Sequence, residues 1–172
     1  MSEPVTFEGR ETLQSAEASF PWQRREHDLP SQPLPWQPGR MPELFYQGIW
    51  AHYLIGLFYR ANNVGHRVLL DLNVSRISLI ANGIEPPSFG ARLRPDILDM
   101  SLLQLWEIKP AASILKASLQ MDVYRNMLGP TMSLTPGTPR QGTEGKVFAP
   151  GGYIGFEARL PGVIRYSYMR SR

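Results

Sequence analysis

The alternation of apolar and polar positions predicts a long helix first. From Met41 to Asn63, the residues Leu44, Trp50, Tyr53, Leu54, Leu57 and Phe58 make the chain apolar around most of a helical circumference, the mark of a helix packed on more than one side. Pro42 suits the first helical position, Glu43 falls in the first turn where the helix dipole favours a carboxylate, and Asn62, Asn63 and Gly65 end the element. His52, inside this apolar stretch, reads as a hydrogen-bonded residue of the core or its rim. Val68–Leu72 follows as a buried strand in which Asp71, set between leucines, needs a partner. The stretch from Asn73 to Gly83 permits a strand, with or without a bulge. Its flanking Asn and Gly also suit a capped helix, and strand is the preferred reading. Pro86, Pro87 and Gly90 then make a loop.

Charge enters where the pattern predicts burial. Arg94–Asp99 and Leu105–Pro110 read as two short strands joined by a tight turn at Asp99–Ser101. Side chains alternate along a strand, so Glu107 and Lys109 share one face while Trp106 and Ile108 share the other. Asp96 points the same way as Arg94, and antiparallel pairing carries it across to Glu107 and Lys109. Two carboxylates and an ammonium at the end of an apolar hairpin are costly unless a cation or a substrate compensates them. The hairpin is therefore the candidate site. Lys109 precedes Pro110 and is held extended. Ala111–Leu128 has helical spacing and Gly129 closes it. Leu115, Leu119, Val123 and Met127 recur at every fourth residue and predict its buried stripe, with Lys116, Gln120 and Tyr124 in a row on another face. By itself that row is a solvated face; beside the charged hairpin it becomes a second set of candidate site residues.

Thr131–Thr143 is rich in Pro and Gly and too long for a mere connection, so a flap over substrate is expected there, with Arg140 and Lys146 as phosphate contacts. Lys146–Ala149, Tyr153–Arg159 and Val163–Arg170 read as short strands with turns at Gly151-Gly152 and Pro161-Gly162. Arg165, Arg170 and Arg172 make the tail basic.

At the other end, residues 1–20 hold no sustained period beyond a marginal helix at Glu11–Ala18. From Pro21 to Pro42, prolines around Trp22 and Trp36 exclude helix and interior strand. The expected organisation is thus an arm or linker over 1–41, preferred to a docking peptide, and one domain over 42–172. The absence of cysteine among the 172 residues excludes disulfide scaffolds, thiolate metal sites and cysteine nucleophiles. A net charge of +3 and a pI near 9.4 suit a polyanionic partner without proving one. Phosphate-binding loops of the G-x-x-x-x-G-K-[ST] and G-x-G-x-x-G kinds are absent, as is a G-x-S-x-G elbow, and His27, His52 and His66 are too dispersed for a histidine metal cluster. No apolar run reaches the length of a membrane span, and Met1–Phe20 is too polar for a signal peptide, so any export needs another route.

Pro95-Asp96, ten intervening residues and then Glu107-Ile108-Lys109 resemble the PD-(D/E)xK signature of restriction-endonuclease-like nucleases. The run RPDILD…LWEIKP, followed by a helix with Gln120 and Tyr124, is similar to nuclease toxin domains of bacterial polymorphic and secretion-delivered effectors. The resemblance covers about residues 42–128 and is strongest over 94–124. It implies a mixed α+β (α/β) fold with a restriction-endonuclease-like core, a mixed β-sheet flanked by helices in the order αβββαβ. It also implies a Mg²⁺- or Mn²⁺-dependent endonuclease acting on DNA, an antibacterial effector neutralised by an immunity protein. A secretion-system delivery protein would carry such an effector to the cytoplasm of a target bacterium.

Carried onto this sequence, the resemblance makes Asp96, Glu107 and the Ile108 carbonyl metal ligands, with Glu43 as a further carboxylate from the first helix. Glu43 is equally well explained as a residue that complements the helix dipole. Lys109 would position or deprotonate the nucleophile, supported by Gln120 and Tyr124. Arg94, Lys116, Arg140 and Lys146 would contact nucleic acid. The rival readings are a repair or restriction nuclease of a mobile element and an inactive nuclease fold kept for binding; the intact acidic-acidic-lysine set speaks against the latter.

Overall fold

The computed structural model describes residues 32–33, 42–71, 94–128 and 132–171. Nearly all of the expected arm and the whole 73–83 segment lie outside them. Helix α1 spans Glu43–Asn62, entered from Pro42 in extended conformation. Strands β1 (Val68–Leu70), β2 (Ile97–Asp99) and β3 (Gln104–Pro110) follow. A 3-10 turn at Ala111–Ser113 leads into α2 (Ile114–Leu128), and β4 (Thr135–Pro136), β5 (Gly145–Ala149), β6 (Gly152–Leu160) and β7 (Val163–Arg170) complete the chain. The strands form one seven-stranded sheet in the order β1-β2-β3-β7-β6-β5, with β4 beside β3. The β1-β2-β3 and β5-β6-β7 meanders are antiparallel, and β3 joins them by pairing with β7 in parallel. The class is mixed α+β.

Alternation along the strands sorts the core into two layers. Ile97, Trp106, Ile108, Val147, Ile154 and Ile164 turn to one face, where α1 packs Ala51, Leu54, Ile55 and Tyr59 against them. Leu69, Leu98 and Leu105 turn to the other, against Met121, Tyr124 and Leu128 of α2. Trp106 is completely buried and alone contributes about 1.5–3 kcal/mol of hydrophobic stabilisation.

Helix α2 differs from expectation in its phase. Ala117, Met121, Tyr124 and Leu128 are buried, while Leu119 and Val123 are 72% and 43% exposed; the Leu115 side chain lies outside the described residues. The reason is geometric. At about 100° per residue, each fourth-residue step overshoots a turn by about 40°, so a strict period of four winds off any single face. Stepping by four and then three holds one face. The same drift separates the Lys116–Gln120–Tyr124 row: Lys116 is exposed, Gln120 half-buried and Tyr124 buried.

The expected flap is corrected as well. Thr135 and Pro136 pair with Gln104 and Leu105, and the Gly137 N–H donates to the Leu105 carbonyl at 2.8 Å. A Cβ at Gly137 would lie 2.0 Å from Cε2 of Trp106, so the segment crosses the indole in direct contact. Its residues 135–137 are thus held to the sheet, stitched in turn to the β6–β7 turn by the Gly162 N–H to the Gly137 carbonyl, while 138–143 remain loop and turn.

Candidate active site

Strand β2 is too short to accompany β3 to its end, and the site lies in the notch this leaves. Ile97 pairs with Trp106 and Leu98 with Leu105. Continuing the register by one residue sets Asp96 opposite Glu107, as alternation predicted. There the Asp96 carboxylate replaces a β2 backbone partner: its Oδ2 accepts the Ile108 N–H at 2.6 Å. The Ile108 carbonyl points to the same edge of β3 as its N–H, so it opens on this notch too.

The other Asp96 oxygen accepts from His52 Nδ1 of α1 at 2.8 Å. Burial alone would lower the His52 pKa, but the Asp96 carboxylate outweighs it and the net shift is upward. Glu107 is 1% exposed. Its Oε1 accepts from Lys109 Nζ at 2.5 Å, while Oε2 is buried and has no hydrogen-bond partner. Burial, then the like charge of Asp96, push its pKa up to about 8 against the opposing pull of Lys109. This carboxyl therefore takes up a proton more readily than an ordinary glutamate and is favoured in its charged form by a further cation.

Two supports fix the segment that presents Asp96. Tyr124 Oη donates to the Arg94 carbonyl at 2.9 Å and accepts from Gln120 Nε2 at 2.5 Å. The Asp71 N–H donates to the Asp96 carbonyl, and the Asp71 carboxylate faces Arg94 at 3.7 Å. Asp71 adopts a left-handed conformation, φ 51°, which ends β1 at Leu70, short of the expected Leu72. Burial raises its pKa, and Asp96 adds to the shift against the pull of Arg94.

Asp96, Glu107, Lys109 and Ile108 are thus together, with Arg94, Gln120 and Tyr124 behind them. The remaining expected residues lie elsewhere. Glu43 binds Arg170 through both oxygens, at 2.7 and 2.8 Å. It precedes His52 by nine residues of helix, roughly 13 Å along the axis. Arg140 lies at the opposite end of the hairpin, where its charge acts on Tyr59 beside Asp99. Lys146 is on β5, three strands from β3, with its ammonium 3.5 Å from the centre of the Tyr153 ring. Lys116 is exposed on α2.

No known protein family, curated protein or solved structure matches this chain. The resemblance to the PD-(D/E)xK nucleases therefore stands on the residues above. Sequence reasoning placed His52 at the core or rim without seeing that it is the α1 residue that reaches Asp96. The one available signal was a polar ring in the middle of an apolar helix, half-buried in the structure, where a partner is favoured. Among the described residues no three His, Asp or Glu side chains gather in ligating geometry, and no helix is long and apolar enough to cross a membrane.

Proposed function

We propose that the chain is a metal-dependent nuclease of the PD-(D/E)xK type that hydrolyses DNA phosphodiesters. The observation that carries this reading is the pairing of Asp96 with Glu107 across the β2–β3 notch, with one Glu107 oxygen on Lys109 and the other buried without a partner. A buried, unsatisfied carboxylate oxygen facing a second carboxylate is the donor chemistry that suits Mg²⁺ or Mn²⁺. Asp96, Glu107 and the Ile108 carbonyl would hold the ion. Once bound, it would supply an activated water and neutralise charge on the phosphate.

The rest of the chemistry belongs to the chain. Lys109, which holds Glu107 Oε1, would turn its ammonium to the attacked phosphate and its developing negative charge when a cation takes its place on Glu107. His52 holds Asp96 from the α1 side. Tyr124 and Gln120 hold the Arg94–Asp96 backbone and act by positioning. The element order α1, β1-β2-β3, α2 and a strand parallel to β3 is consistent with a restriction-endonuclease-like core. The similarity to effector domains favours an antibacterial toxin with a cognate immunity protein over a repair or restriction enzyme. The test is cleavage of plasmid DNA with Mg²⁺, with EDTA, and by the Asp96→Asn protein. Metal-dependent cleavage lost in both controls is the expected result. Intact DNA and RNA after incubation with folded protein would transfer the assignment to an inactive binding fold.

A further inference from the structure

The outer face of β5, β6 and β7 continues the sheet away from Lys109. Among the described residues, α2 lies over β3 and the beginning of β7, and the outer positions of β5 and β6 remain open. Strand register arranges that face in three rows. Lys109, Arg165 and Glu157 lie side by side in the first. Ser167, Gly155 and Lys146 form the second, and Met169, Tyr153 and Phe148 the third. Rows two residues apart are about 6.6 Å apart.

Each row has its own chemistry. In the first, Glu157 is shared by Arg165 and Arg159, which hold its pKa below the usual range, so two guanidiniums meet one carboxylate and a positive charge remains. The second row is a floor: Gly155 and Ser167 raise little above the backbone, and an open depression of about 700 Å³ lies over them. The third is apolar yet turned outward, with Phe148 62% and Met169 38% exposed, and with Lys146 beside Tyr153 supplying a cation at its edge. The inward positions of the same strands, Val147, Ile154 and Phe156, are at most 5% exposed. Phe148 stands exposed beside the buried Val147 of the same strand and, among the described residues, belongs to neither core layer, so it is free to meet a partner.

We propose that this face is a track for single-stranded nucleic acid. Arg165 and Lys146 would contact successive phosphates, Phe148 would stack an unpaired base, and the strand would lead to Lys109. The inference rests on the nuclease reading for what happens at the end of the track. Cationic side chains interleaved with exposed rings fit a strand whose base faces are free, because a duplex offers phosphates but no unstacked base.

The test is fluorescence anisotropy in EDTA with labelled oligothymidine and oligouridine of roughly twelve nucleotides, and with a duplex of equal length. The wild-type protein should bind the single strands about tenfold more tightly than the duplex, and the tighter of the two identifies the sugar. Phe148→Ala should weaken binding about tenfold and Phe148→Tyr should restore it, because stacking is lost and regained. Arg165→Gln and Lys146→Gln should each lower the slope of log affinity against log salt by about 0.7. Equal affinity for the duplex, or a Phe148→Ala protein that binds like wild type, overturns the proposal. Failure of the track and failure of the nuclease are separable. A wild-type protein that binds strands with these variant effects yet cuts nothing in Mg²⁺ leaves the track standing without the nuclease. One that cuts while Phe148→Ala binds and cuts unchanged does the reverse.

Discussion

Replacing Asp96 by Ala and by Asn separates what the carboxylate does for the fold from what it does for chemistry. Asp96 stands in for a missing strand: it accepts the N–H of Ile108, a residue with no exposure, and holds His52. Alanine leaves that buried N–H unsatisfied, at a cost of about 1–3 kcal/mol, and removes the His52 bond, worth about 1 kcal/mol. Against this stands relief of the like-charge pressure on Glu107. The net expectation is a loss of about 2–3 kcal/mol. For a chain of this size that lowers Tm by roughly 5–10 °C. Asparagine keeps an oxygen for Ile108, and its amide donates to His52 Nδ1 once the neutral imidazole carries its proton on Nε2, so its loss should stay under about 1 kcal/mol. Both variants should lose metal-dependent cleavage.

The two variants also carry a pH signature. Glu107 and His52 both have raised pKa values in the fold. A raised group stabilises the fold fully below its ordinary pKa, 4.5 for Glu107 and 6.5 for His52, and that stability is lost as pH rises through the folded value, about 8 for Glu107. Asp96 raises both, so removing it abolishes the His52 contribution and reduces that of Glu107, where burial remains. The deficit of Asp96→Ala should therefore be larger at pH 6 than at pH 9. Thermal melts in EDTA at the two pH values decide the matter. Equal losses in Ala and Asn, or a deficit that grows with pH, would refute the idea of the carboxylate as a strand substitute beside a coupled Glu107.

Other expectations follow from the same contacts. Metal must displace the Glu107 proton, so the rise in wild-type Tm on adding Mg²⁺ should be greater at pH 8.5 than at pH 6.5 and absent in Asp96→Asn; calorimetry would read it, and a pH-independent shift would argue for binding elsewhere. Lys109→Met strips a buried carboxylate of its ammonium, so the metal-free variant should match wild type in melts near pH 5 and lose stability increasingly as pH rises, with Mg²⁺ restoring it. Its cleavage rate should fall about 10²–10³-fold, and a rate within a few-fold of wild type would remove Lys109 from the chemistry. Gly137→Ala drives a methyl group into the Trp106 indole and should destabilise by about 3 kcal/mol or more; a denaturant midpoint unchanged from wild type would show that the 135–137 segment can lift off β3.

The central hairpin was legible because two local rules agree there. Period-two alternation assigned Glu107 and Lys109 to one face, and Pro110 closed the strand; the structure keeps both and lengthens the turn to residues 100–103. The C-terminal strands were legible for a similar reason, since glycine and proline punctuate them where the chain reverses. The phase of α2 was not legible from fourth-residue matches, because leucine and valine at 119 and 123 mimic a core stripe that the helix winds away from solvent only at 117, 121, 124 and 128. Strand β4 was hidden by its own composition. A segment with Pro136 and Gly137 has no strand propensity, and it joins the sheet because Gly137 fits against Trp106 while its backbone completes the free edge of β3. His52 was hidden because its partner is 44 residues away, and sequence periodicity carries no information about such contacts.

The two aspartates of β2 and its approach make the same point about environment. Asp99 has no exposure, and its carboxylate accepts from Tyr59, His66 and the N–H groups of Ser101 and Leu102 at 2.7–3.2 Å. Its oxygens are satisfied by donors that form the turn, so nothing remains for a cation or a substrate; it pins the hairpin to α1. Asp96, three residues earlier, shares its notch with a second carboxylate, one of whose oxygens is buried with no donor. In the sequence the pair is symmetrical, acid at either end of two apolar residues. What separates them is donor supply, and donor supply is set by where β2 stops. At Asp99 the turn folds its own N–H groups back onto the acid, whereas at Asp96 the chain has left β3 and, among the described residues, one backbone N–H reaches it. The unmet acceptor capacity at that end is why the chemistry is assigned to Asp96 and Glu107, and why Asp99 is assigned to the fold.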